Sequence, residues 1–263
     1  MAMRLDGCSW PEVAELVQRD PVIVVPVGAT EQHGHHLPLQ VDATLCTEVA
    51  DHAARRAREE GTEVVVAPTI AVGYSPHHMD FAGSLTLSAS TFTGVVTDVA
   101  RSLHHHGFRR IVFLNGHGGN THLLRATVQD LRFERGVDVV SVSYWSLALD
   151  AIAAWRRSPL GGINHACEME TSLMMALRPD LVRSEAIHDV MPHGTGDTSA
   201  DLTVEGAVMR ARPFAEITDT GVIGAPSLAD AERGRALLAA ITERVAGFLQ
   251  EVARPAVEGR AGG

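Results

Sequence analysis

The stretch VIVVPVGATEQHGHHLPLQVD, residues 22–42, decides how this chain is read. Its first six residues are β-branched or proline with no polar alternation, the pattern of a strand covered on both faces. Its second part crowds three histidines and two carboxylates into residues 31–42. Similar apolar runs recur at 64–72 (VVVAPTIAV), 110–115 (RIVFLN) and 137–143 (VDVVSVS). Between them the spacing is helical: Leu45, Val49, Ala53 and Ala57 share one face, while Arg55, Arg56, Arg58 and Glu59 lie largely elsewhere. Doubly covered strands alternating with amphipathic helices predict an α/β fold, a three-layer α/β/α sandwich with a mainly parallel central sheet.

The remainder of the chain is read in the same terms. A helix capped at Ser227, with Leu237, Ile241, Val245, Phe248 and Val252 on its apolar side, is expected to close the domain. Residues 184–226 are rich in Gly, Pro, Thr and Asp and read as irregular surface structure or a lid. Residues 1–253 are expected to form a single domain, and 254–263 a disordered tail.

A formal net charge of -10 without any Lys/Arg block argues against a nucleic-acid or anionic-membrane partner, since both require a positive surface. No apolar run approaches a membrane span, and the opening residues lack the apolar core of a leader, so the expected location is cytoplasmic. Cys8, Cys46 and Cys167 form no C-x-x-C pair and are expected as reduced thiols.

In parallel sheets ligands gather beyond the carboxyl ends of the strands. Two loops meet that condition: the one holding Glu31, His33 and Asp42, and NGHGGN (115–120), which holds His117. Carboxylates and imidazoles without thiolates suit Zn²⁺, Mn²⁺ or Fe²⁺, and an aspartate can bridge two ions. The plain alternative is a set of loop histidines bonded to backbone. A third segment, NHACEMETSLMMALRPDLV (164–182), adds His165, Glu168 and Glu170 where a helix begins. If that helix includes His165, Glu168 lies about 60° from it and Glu170 about 140°, which favours Glu168 as its partner; a later start weakens the choice.

Other candidates carry weaker signals. His104, His105 and His106 end a helical stretch and are given no role. His77 and His78, in a loop after the second strand, suit a substrate contact and simple exposure equally. Cys167 is read as inert, Trp145 as pocket lining or core. GHGGN before a helix is also compatible with phosphate binding, but the P-loop lysine is missing.

Through PVGATEQHGHHLPLQVD, FAGSLTL, NGHGGN, SYW and the H-x-x-x-x-ETSLMMALRPDLV segment, from about residue 10 to 250, the chain resembles the creatininase family of metal-dependent amidohydrolases. The resemblance implies a creatininase-like three-layer fold, a binuclear Zn or Mn centre (Fe is a further option), and a homohexameric ring. By motif position it implies Glu31, His33, Asp42 and His117 as metal ligands, Asp42 bridging, and His165 as catalytic acid/base.

The chain departs from creatininase itself at two places. Creatininase has Tyr-Glu, its glutamate a ligand of the second metal, where this chain has Gly118-Gly119. It also has Trp-Asp where this chain has Gly161-Gly162. Glu168 is therefore put forward as the replacement metal ligand, with Glu170 as its rival and otherwise grouped with His165 on the catalytic side. The expected function is hydrolysis of a C–N bond in a small or cyclic amide other than creatinine, by metal-activated water with His165 moving protons. The alternatives are a peptide-processing metallopeptidase of the mycofactocin type, for which the glycines would open the pocket, and a non-catalytic metal- or ligand-binding relative.

Overall fold

The computed structural model describes residues 3–192, 201–204, 208 and 210–254. Its sheet is built from β1 (Met3–Arg4), β2 (Val22–Val27), β3 (Val64–Val66), β4 (Arg110–Asn115) and β5 (Val139–Ser143), all parallel, in the order β1-β3-β2-β4-β5. Every residue of β2 is buried, and it pairs with β4 from Val22 opposite Arg110 to Val27 opposite Asn115.

Side-chain alternation along these strands feeds two separate cores. Val22, Val24, Val64, Val66, Val112 and Leu114 pack with helices α2 (Val41–Glu59), α5 (Leu149–Trp155), α6 (Glu168–Leu177) and α7 (Ala231–Ala253). Ile23, Val25, Val65, Ile111 and Phe113 pack on the other face with α1 (Trp10–Val17), α3 (Ala89–His105) and α4 (Thr121–Arg135). These are the two helical layers that doubly covered strands require. A short antiparallel pair, β6 (Ile163–His165) with β7 (Ile223–Gly224), stands beside the sheet.

Topology places the functional crevice. From β2 the chain crosses by α2 to β3 on one side, then by α3 to β4 on the other side of β2. The carboxyl ends of β2 and β4 therefore flank the switch point of the sheet, where helices on opposite faces leave room for a ligand. Two glycines let α2 approach this point. A Cβ on Gly28 would sit 2.5 Å from the Ala43 Cα, and one on Gly116 would sit 2.7 Å from the Asp42 carbonyl oxygen. Gly28→Ala is expected to push the first turn of α2 outward and to cost about 1–3 kcal/mol. Urea unfolding, together with metal content, checks it.

Several boundaries differ from the sequence reading. The run 64–72 is a strand only over Val64–Val66, because Pro68 has no N–H for the ladder; Ile70 makes an isolated parallel bridge to Val27. The run 137–143 begins its pairing at Val139, since the Val137 N–H closes α4 on Leu131 after left-handed Gly136. The last helix is capped by Asp230, which accepts from the Arg233 N–H at 2.8 Å, and not by Ser227, whose hydroxyl and N–H are held by Asp189. Within 184–226 the described residues include β7 and the turn Phe214–Glu216, so part of that segment is built into the fold. The expected tail, apart from Arg254, lies outside the described residues. No described helix is long and apolar enough to cross a membrane.

Candidate metal centre

Five segments deliver the side chains of the cluster to the crevice. Glu31 and His33 follow β2, Asp42 lies in the first turn of α2, His117 follows β4, His165 ends β6 and Glu170 lies in the first turn of α6. All six are buried. The ligand-type atoms of Glu31, Asp42 and His117 lie within 4.8 Å of one another, and so do those of His33, Asp42 and Glu170.

Asp42 joins the two groups. Its Oδ1 is 3.1 Å from His33 Nε2, and its Oδ2 is 3.1 Å from His117 Nδ1. The far nitrogens of both rings face main-chain carbonyls: His33 Nδ1 donates to Glu31 O at 3.1 Å, and His117 Nε2 donates to Tyr74 O at 3.1 Å. Those contacts turn the opposite nitrogen of each ring toward Asp42, the arrangement that outer-shell carbonyls give to ligating histidines.

The residues fit divalent ions on chemical grounds. Both carboxylate oxygens of Glu31 and Oδ2 of Asp42 are buried without an aligned hydrogen bond. Their near neighbours are histidine rings at 3.1–3.2 Å, and buried carboxylates so poorly satisfied are costly, so a cation is the natural complement. Burial favours the neutral imidazole of His33, but Asp42, Glu170 and Glu31 outweigh it and raise its pKa to about 9. Burial likewise opposes charge on His117, yet Glu31 and Asp42 hold it well above the usual histidine range. Burial lifts the Glu170 carboxyl to about 7, with His33 pulling it the other way. These groups hold protons where divalent ions would take their place.

The two glutamates of α6 have separate surroundings. Glu168 turns away from the cluster: its carboxylate accepts the Arg157 N–H at 3.0 and 3.2 Å and the Ser158 N–H at 2.9 Å. Glu170 instead stands 3.9 Å from His33 Nε2. The angular argument for Glu168 presumed one helix running through His165, but α6 starts at Glu168 itself. His165 belongs to β6, and Ala166, at φ 51°, breaks the chain direction between them. Glu168→Ala is expected to leave metal content unchanged and to lower stability by roughly 2–4 kcal/mol, since two main-chain N–H groups lose their acceptor. Denaturant unfolding with a metal count on the folded protein tests both halves.

His165 lies beside the cluster, its Nδ1 3.8 Å from Glu31 Oε1. Burial, with His33 and His78 nearby, keeps its imidazole neutral and its pKa well below the usual range. It lines a cavity of about 150 Å³ together with Asp42, His117, Glu170, Trp145, Leu202 and Phe214. The Phe214 ring packs at 4.1 Å from His78 and 5.0 Å from His165, centroid to centroid. His78 is a site residue to which the sequence gave no definite role; it is buried and lies 3.1 Å from Glu31. Trp145 is both buried and pocket-lining. Cys167 is enclosed at the start of α6, and burial pushes its thiol well above the usual range, which leaves it inert.

The glycines that distinguish the chain are tightly enclosed. A Cβ at Gly119 would lie 2.4 Å from His117 Nε2 and 2.8 Å from the His77 ring, so no side chain fits there without movement. A Cβ at Gly161 would meet Pro192 at 2.8 Å, and one at Gly162 would meet Ser158 at 2.3 Å. These three glycines are filled around and do not widen the pocket as the sequence suggested. Gly118 alone faces open space, with Leu202 at 4.0 Å.

Known proteins resemble this chain in sequence and in fold. The creatinine amidohydrolase (creatininase) family model matches residues 6–249. The mycofactocin precursor peptide peptidase of Mycobacterium tuberculosis is 35% identical over 236 residues, which is 88% of this chain and 85% of that protein. The creatinine amidohydrolase of Pseudomonas putida is 33% identical over 235 residues, 80% of this chain and 88% of that one. Among solved structures, a manganese form of creatininase superposes with a TM-score of 0.81, and a mutant creatininase of Zn-Zn type with 0.80. Each is 30% identical and covers 97% of this chain and 100% of the solved one. With its fold and nearly its whole length matched, the chain belongs to the creatininase family of amidohydrolases.

Proposed function

We propose that the protein hydrolyses a C–N bond in a small or cyclic amide at a two-ion centre. Glu31, Asp42 and His117 would hold one ion, His33, Asp42 and Glu170 the other, with Asp42 between them. The observation that carries this reading is the pair of Asp42 oxygens, each 3.1 Å from a different histidine. Manganese and zinc, the metals in the names of the similar structures, both suit this oxygen and nitrogen donor set. Bound divalent ions would supply Lewis acidity, polarising a carbonyl and, for a zinc-type ion, lowering the pKa of coordinated water to about 7.

The chain's own groups account for orientation and proton movement. His165 Nε2 donates to the Gln32 carbonyl at 2.7 Å, which leaves the Nδ1 lone pair directed at the cluster. A neutral imidazole so placed takes a proton at Nδ1 and returns it to the departing nitrogen, the step that makes an amine an acceptable leaving group. Phe214 and Trp145 border the cavity and limit water around that transfer.

The cavity sets substrate size. A cavity of about 150 Å³ suits a small amide or a single residue of a longer chain. Similarity to the mycofactocin peptidase supports a second reading, in which only a peptide end enters. Zinc- and manganese-loaded protein assayed against lactams, formamides and short peptides separates the two. Turnover confined to peptides would replace the small-amide reading, and no turnover by a two-ion protein on any member would favour a non-catalytic relative.

A further inference from the structure

Four histidines ring the centre, and the group behind each ring decides which edge it presents. His33, His117 and His165 each have a main-chain carbonyl behind them, those of Glu31, Tyr74 and Gln32. A carbonyl oxygen only accepts, so the rear nitrogen keeps its proton and the nitrogen facing the centre is the one open to an ion or a second proton. His78 is different. Behind its Nδ1, at 2.9 Å, stands the side-chain amide nitrogen of Gln32.

The orientation of that amide is over-determined. Its oxygen accepts the Gly34 N–H at 2.9 Å, and its nitrogen donates to the Gly221 carbonyl at 3.1 Å. Turning it over would break both bonds and set oxygen against oxygen. The amide nitrogen carries two protons; one goes to Gly221 and the other to His78 Nδ1. His165 Nε2 also lies 3.1 Å from the amide nitrogen, but its proton is already committed to the Gln32 carbonyl at the shorter distance of 2.7 Å. His78 therefore accepts at Nδ1 and carries its proton on Nε2, which is buried without an aligned partner and lies 3.1 Å from Glu31 Oε1.

We propose that Gln32 makes His78 present an N–H edge to Glu31, so that His78 is a positioning residue and not a metal ligand, although its spacing to Glu31 and His77 is that of a ligand group. Gln32 holds both His78 and His165 in the Nε2–H form but with opposite edges inward. His165 offers a lone pair to the centre and His78 offers an N–H. A Glu31 carboxylate restrained by that N–H keeps its other lone pairs free for an ion, as outer-shell partners do for ligating carboxylates.

The inference rests on the metal reading above, and one sample tests the two separately. Protein labelled with ¹⁵N in its histidine rings and loaded with ¹¹³Cd²⁺ is examined at neutral pH by long-range ¹H–¹⁵N spectroscopy. The expected result is a protonated Nε2 and bare Nδ1 at His78 without coupling to cadmium, alongside coupling at His33 Nε2 and His117 Nδ1. Cadmium coupling at His78, or a proton on its Nδ1, overturns the proposal. Absence of coupling at His33 and His117 counts against the metal reading, while the tautomer of His78 still decides this one. In Gln32→Glu, which cannot donate, His78 is expected to acquire an Nδ1 proton; an unchanged His78 signal overturns the role given to Gln32. His78→Leu is expected to weaken metal binding about 10–100-fold with the saturated ion count unchanged, and His78→Gln to recover part of that loss. A lower ion count at saturation in both variants overturns it.

Discussion

Asp42→Ala is expected to reduce metal content from about two ions per chain to near zero and to abolish turnover, the largest effect of any single substitution. Asp42 is the residue common to both donor groups, each of its oxygens addressing a different histidine. Its removal takes a negative charge and a shared ligand from two positions at once, leaving the imidazoles of His33 and His117 with fewer anionic neighbours. The fold should persist, because α2 is anchored farther along by Leu45, Val49, Ala53 and Ala57, all fully buried or nearly so. Metal analysis of the purified variant, with near-ultraviolet circular dichroism to verify packing, measures this directly. Two ions in a folded Asp42→Ala protein would remove the bridging role.

His165→Ala is expected to do the opposite: full metal content with kcat lowered by about 10²–10⁴-fold. The ring stands outside the two donor groups that share Asp42, and its Nδ1 is 3.8 Å from the nearest Glu31 oxygen. Its contribution is protonation of the leaving nitrogen. The deficit should therefore shrink with an amide whose amine departs without a proton, such as a nitroanilide. An equal deficit on both kinds of substrate would make His165 a packing residue, since its ring lies against His33 and His78.

The parts of the fold that were legible are those where burial is uniform. β2 and β4 carry runs so apolar that only a doubly covered strand suits them, and α2 shows its buried stripe without interruption. The convergence of Glu31, His33, Asp42 and His117 could be anticipated because two loops at neighbouring strand ends must meet at the switch point. The order of the α6 glutamates could not. It depends on a left-handed Ala166, a conformation that no glycine or asparagine advertises, and on main-chain N–H groups of Arg157 and Ser158 that claim Glu168 from ten residues away or more. The burial of His78 was equally hidden, because its partners Gln32 and Glu31 lie in a distant segment. β6 and β7 are too short to carry a pattern of their own.

In the proposed two-ion centre Glu170 supplies the last ligand. Metal per chain, measured by mass spectrometry after saturation with Zn²⁺ or Mn²⁺ and removal of excess, tests it on three proteins: the wild type, Glu170→Ala and Glu168→Ala. The account predicts about two ions in the wild type, about one in Glu170→Ala and about two in the folded fraction of Glu168→Ala. One ion or none in the wild type, or loss of an ion from Glu168→Ala with Glu170→Ala unchanged, would contradict it.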